Sequence, residues 1–201
     1  MTFSLPDFSV GRSIATQLKR GAQMTLVRWM ILFSLTISVS GCFISAKPLF
    51  APEDAELPLA DGTVLAAYPL DEHGHRNDEA PTRFVAEQKQ HSYVFTPDGD
   101  APFRAMFDDI GDGNFVAAEL GIESDVGPQY ALVRQVGESW FAYLATCSSF
   151  EKLIKGQKTF ADFHISKSGS QCSFKSYDDV KSALMFLASQ SKPTTEFVIG
   201  I

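Results

Sequence analysis

A cysteine that ends an apolar strand and opens a helix is placed for nucleophilic chemistry. Cys147, in the run Thr146-Cys147-Ser148-Ser149-Phe150, has that setting. A helix N-terminus depresses a thiol's pKa and enriches the thiolate. His164, 17 residues further on, is the base that such a thiol would use. Ser149 with Lys152, and Ser189 with Lys192, have the spacing of a serine activated by a lysine. Asp108, Asp112, Gly113 and Glu119 fall at ligand and turn positions of a twelve-residue calcium loop, with Ile110 where an oxygen ligand belongs. His73 and His75, with Asp71 and Asp78 nearby, are a candidate metal pair.

Each of these meets a competing reading. Cys172 offers Cys147 a disulfide partner, and an even pair in an oxidising compartment reads as a bridge. That bridge closes a loop of 26 residues, worth roughly 3–4 kcal/mol in the chain-entropy model. The setting of Cys147 is similar to the nucleophile position of papain-like cell-wall peptidases, but those enzymes need more chain after the cysteine to supply their histidines. The serine–lysine pairs lack the Lys-Thr-Gly and Ser-Asp-Asn companions of penicillin-interacting enzymes. The calcium-loop run is flanked by strand-like sequence instead of helices, and Gly111, Gly113 and Asn114 suit a hairpin. The histidine pair has no third committed ligand, and no cysteine–histidine zinc spacing occurs. The expectation is therefore a disulfide between Cys147 and Cys172, with no catalytic residue, metal or cofactor assigned. The reading leans away from an enzyme. Its alternative is an envelope hydrolase with Cys147 as nucleophile and His164 as base.

The elements that would position these residues follow from periodicity. Short runs separated by turn signals predict strands near Thr63–Tyr68, Thr82–Glu87, Ser92–Thr96, Phe103–Phe107, Asn114–Leu120, Tyr130–Val136 and Ser139–Ala145. Gly137-Glu138 fits a two-residue hairpin turn. Trp140 and Ala142 face one way and Phe141 and Tyr143 the other, so this strand is expected to be covered on both faces. Ser148 is expected to cap a short helix running to about Lys155, and a brief strand is expected over Cys172–Lys175. Ser176 then opens a helix with Val180, Leu184 and Leu187 on one face, ending before Pro193. Glu196–Ile201 closes as a strand. The expected fold class is α+β, a mainly antiparallel sheet with a C-terminal helix packed on it, forming one domain over residues 63–201.

The N-terminal region carries the most specific motif. Arg12, Lys19, Arg20 and Arg28 form a basic region. Trp29 to Val39 is uncharged and mostly apolar, and Ser40 and Gly41 are small residues before Cys42. Leu35-Thr36-Ile37-Ser38-Val39-Ser40-Gly41-Cys42 resembles the lipobox of bacterial lipoproteins, with Val39 where leucine is commoner. The resemblance covers about residues 24–42. It implies cleavage between Gly41 and Cys42, acylation of Cys42 by more than one chain, and a mature protein of the cell envelope. Met24 is an alternative translation start. Residues 1–41 are then a signal peptide, and residues 42–62, with Pro48, Pro52 and Pro58, are expected to be a lipidated N-terminus and extended tether. An uncleaved helix over Trp29–Ala46, 18 charge-free residues, is the alternative anchor. Phe43 after the cysteine, in place of aspartate, points to the periplasmic face of the outer membrane under the enterobacterial sorting rule.

Residues 42–201 hold 13 Lys and Arg against 23 Asp and Glu. A net acidic surface disfavours nucleic acid and anionic lipid heads. The expected partners are the membrane, through the N-terminal lipid, and an envelope protein or the cell wall. In architecture the folded part is similar to small lipid-anchored inhibitors of cell-wall hydrolases, without a residue-level match. The leading expectation is a non-enzymatic binding or structural role.

Overall fold

A computed structural model describes residues 43–120 and 127–200. The chain forms β1 (Phe43–Ile44), β2 (Thr63–Pro69), β3 (Thr82–Lys89), β4 (Ser92–Pro97), β5 (Phe103–Gly111) and β6 (Asn114–Leu120). There follow β7 (Gln129–Val136), β8 (Ser139–Tyr143), β9 (Ser166–Ser168), β10 (Gln171–Ser173) and β11 (Thr195–Ile199). Two helices, α1 (Cys147–Ile154) and α2 (Tyr177–Gln190), lie between β8 and β11.

The sheet closes on itself. β2 to β8 pair in sequence, β11 fills the gap between β8 and β2, and every one of these eight pairings is antiparallel. This corrects the expected α+β sheet with a helix packed on it: the fold is a closed eight-stranded antiparallel barrel, with three extra strands and two short helices. Strand alternation specifies where side chains point but not which edges meet. Closure depends on β11 finding β2, with Phe197 opposite Ala67 across 130 residues of sequence.

Alternation fills the barrel. Rings face alanines across neighbouring strands: Phe95 opposite Ala86, Tyr93 opposite Ala105, Phe107 opposite Ala117. Small-opposite-large packing lets eight strands close around side chains alone. The resulting cluster includes Leu65, Phe95, Phe107, Phe115, Val133 and Trp140. Phe95 lies 5.2 Å from Phe103, and Phe115 lies 5.2 Å from Trp140, centroid to centroid.

A second core lies outside the barrel wall. The outward faces of β5 to β8 present Met106, Val116, Ala118, Leu132 and Tyr143, which pack with Phe150 and Ile154 of α1 and Val180, Leu184 and Leu187 of α2. Burial on both sides explains why Trp140-Phe141-Ala142-Tyr143 is apolar throughout. Thr146, not the expected Ser148, is the N-cap of α1: its side chain accepts from Ser149 N while Ser149 Oγ accepts from Thr146 N. Ser176 caps α2 as expected, accepting from Asp179 N.

Residues 43–62 are not an extended tether. Phe43 and Phe50 are buried in the outer core and Leu59 in the barrel cluster. Tyr93 Oη donates to Leu59 O at 2.6 Å and accepts from Leu59 N at 2.8 Å, seating this segment against the barrel. Pro52 opens a short 3-10 turn over Pro52–Asp54, and the segment's apolar residues are held at both cores. Residues 1–42, including the expected signal peptide, Met24, Gly41 and Cys42, lie outside the described residues.

Candidate functional site

Cys147 and Cys172 form a disulfide, with Cα atoms 5.4 Å apart and both residues fully buried. It joins the first turn of α1 to β10. Lys167 of β9 lies opposite Cys172 on one side, and Phe43 of β1 lies opposite it on the other. Phe43 is 2% exposed, with its ring 4.9 Å from Phe150 and 5.1 Å from Phe174. β1 runs parallel to β10 and also pairs with β7 through Ile44 and Gln129. The staple thus fastens the entry of the chain, the β9–β10 hairpin and α1 into one corner.

This corner is polar only where it must be. Ser45 is buried; its Oγ donates to Lys47 O and lies 2.8 Å from Tyr130 Oη, which accepts from Leu49 N at 2.9 Å. Burial raises the Tyr130 phenol above its usual pKa. Gly127 sits against the Ser45 backbone, where a Cβ would lie 1.8 Å from Ser45 O.

The geometry does not assemble the thiol dyad. Cys147 carries no free thiol. His164 stands at a left-handed position (φ 49°), with its ring 77% exposed and Nδ1 2.7 Å from Asp179 Oδ1. Asp179 is held below the usual carboxylate range, first by the Ser176 hydroxyl and then by His164. This pair ties the 160–164 turn to the first turn of α2. The two serines are also engaged with backbone: Ser149 Oγ donates to Thr146 O at 2.8 Å, and Ser189 Oγ donates to Phe186 O at 2.7 Å.

The calcium-loop residues separate onto opposite faces. Asp108 points outward and accepts a hydrogen bond from Tyr177 Oη, whereas Glu119, opposite Ala105 and Gln129, points into the barrel. Gly111, Asp112 and Gly113 all have positive φ and turn the β5–β6 hairpin, with Asp109 Oδ1 accepting from Gly111 N. The run is a turn, as its flanking strands implied. His73 and His75 sit 6.3 Å apart in a loop organised by Asp71, whose Oδ1 accepts from both their backbone N–H groups. Among the described residues no group of three metal-ligating side chains forms.

The Arg76 clip was not legible in the sequence. Arg76 makes two bonds to Glu196, at 2.8 and 2.9 Å, and its guanidinium lies 3.9 Å from the Tyr68 ring centre. Ser139 also donates to Glu196. Arg76 holds the Glu196 carboxyl below its usual range. The clip fastens the β2–β3 loop across the seam where β11 closes the barrel. Its partners are 120 residues apart, so no local pattern could announce them.

No family model, curated protein or solved structure matches this chain.

Proposed function

We propose that this chain is a lipid-anchored protein of the bacterial cell envelope whose barrel has a non-enzymatic binding or structural role. One observation supports the reading: Phe43, the residue after the expected acylation site, is a buried strand residue. The residues that follow a lipobox cysteine belong to the mature protein, and Phe43 packs against Phe150 and Phe174 of the folded body.

The same observation weakens the helix alternative. Phe43 and Ile44 are strand residues, so a helix through Ala46 is interrupted. The charge-free run from Trp29 to Cys42 holds 14 residues, short of the roughly 20 needed to cross a bilayer. The Cys147–Cys172 disulfide suits an oxidising compartment, and it removes the thiol that the hydrolase reading requires.

Growth with an alkyne-tagged fatty acid tests this directly. The native chain should take up label and fractionate with membranes, and Cys42→Ser should lose both properties. Membrane retention of unlabelled Cys42→Ser would overturn the lipid anchor.

A further inference from the structure

The acidic balance of the chain is not evenly spread. Residues 147–175 hold five lysines and two acids, whereas the rest of residues 42–201 holds eight basic residues against twenty-one acidic ones. The lysine-rich stretch comprises α1, the turn after it and the β9–β10 hairpin. These elements surround the corner where the chain enters the fold.

Contacts around that corner place the charges. Lys167 is two strands from Phe43, through Cys172. Its Nζ reaches Glu151 of α1 at 2.6 Å. Lys155 follows Glu151 by one helical turn, so the two share a face. Lys152 and Lys155 are exposed and make no ion pair among the described residues, and Lys158, also exposed, lies just past the helix. The acids of these elements and of the adjoining start of α2 are engaged: Glu151 by Lys167, Asp162 by the Thr159 N–H and hydroxyl with Lys158 near, Asp178 by Lys181, and Asp179 by Ser176 and His164. Phe43, the residue bonded to the proposed anchor, is buried against Phe150 of α1 and Phe174 just after β10.

We propose that the face formed by Lys152, Lys155, Lys158 and Lys167 rests on anionic lipid headgroups of the membrane that holds the N-terminus. This rests on the anchored reading above and refines the charge argument: the protein as a whole is acidic, but the side nearest its anchor is basic. The attraction of a lysine to an anionic bilayer fades within a Debye length. An anchor supplies proximity, and the lysines then fix orientation, leaving the acidic remainder of the barrel turned away.

Lysine acylation read by mass spectrometry tests the proposal on the full-length chain, reconstituted in vesicles of phosphatidylcholine alone or with one-third phosphatidylglycerol. Lys152, Lys155, Lys158 and Lys167 should be protected several-fold in the anionic vesicles at low salt and should regain reactivity in high salt. Exposed Lys89 and Lys192 should react equally in both vesicles. Equal labelling of the four lysines in the two vesicle types overturns the proposal, as does protection indifferent to salt. The triple variant K152Q/K155Q/K158Q, checked for an unchanged melting temperature, should lose the lipid dependence at Lys167. The same digest reports the N-terminal peptide: an unacylated Cys42 with protected lysines would sink the anchor and leave the basic face standing.

Discussion

Glu119 is the residue whose position and chemistry disagree most. It faces the barrel interior beside Ala105 and Gln129, without a hydrogen-bonding or ionic partner among the described residues. Desolvation raises its carboxyl above the usual range. A raised folded-state pKa means that the folded chain holds the proton more tightly than the unfolded one. Glu119 therefore favours folding as pH falls and costs stability above its folded pKa. Glu119→Gln should raise the melting midpoint at pH 7 by roughly 2 °C, a shift of the size that under one kcal/mol produces in a domain this long. The gain should vanish near pH 4, where the unfolded-state carboxyl, with a pKa of about 4.3, is also largely protonated. Thermal melts at the two pH values read this out, and a lower midpoint at pH 7 would show that Glu119 has a polar partner. In sequence this glutamate looked like the last ligand of a calcium loop. The register of β5 on β6 sends it away from Asp108, and register is a tertiary property.

Among the elements, β1 shows where sequence reading stops. All eight barrel strands were legible, with boundaries correct to within a few residues, because period-two alternation and turn glycines are local signals. β1 has two residues and β9 three, too short for any period to register. Proline and acid content made residues 43–62 look like a tether, whereas Phe43, Phe50 and Leu59 are what dock it. The docking of β1 depends on Gly127, since a Cβ there would collide with the Ser45 carbonyl, which is backbone and cannot turn aside. Gly127→Ala should cost about 1–3 kcal/mol, the usual penalty of overpacking. It should also speed proteolysis within residues 43–62. An unchanged denaturation midpoint would mean that the β1–β7 contact contributes nothing. The disulfide belongs to the same scale: cysteine count and compartment made the pair readable, while its role as the staple beside β1 required the fold.

Across the whole molecule, closure and charge placement are the two properties that composition concealed. The barrel closes because β11 pairs on both edges, and the Arg76–Glu196 clip crosses that seam. Neither contact is local. Net charge described the average surface and concealed that residues 147–175 hold five lysines against two acids. The candidate chemistry of Cys147 was legible as a choice between thiolate and disulfide, and the fold gives the disulfide. The disulfide staple beside β1 and the proposed anchor one residue before Phe43 lead to one decisive experiment: non-reducing peptide mass spectrometry on protein extracted from the membrane fraction. The account predicts an N-terminus at acylated Cys42, together with a linked Cys147–Cys172 peptide. An intact N-terminus upstream of Cys42 with a free Cys147 thiol would contradict it.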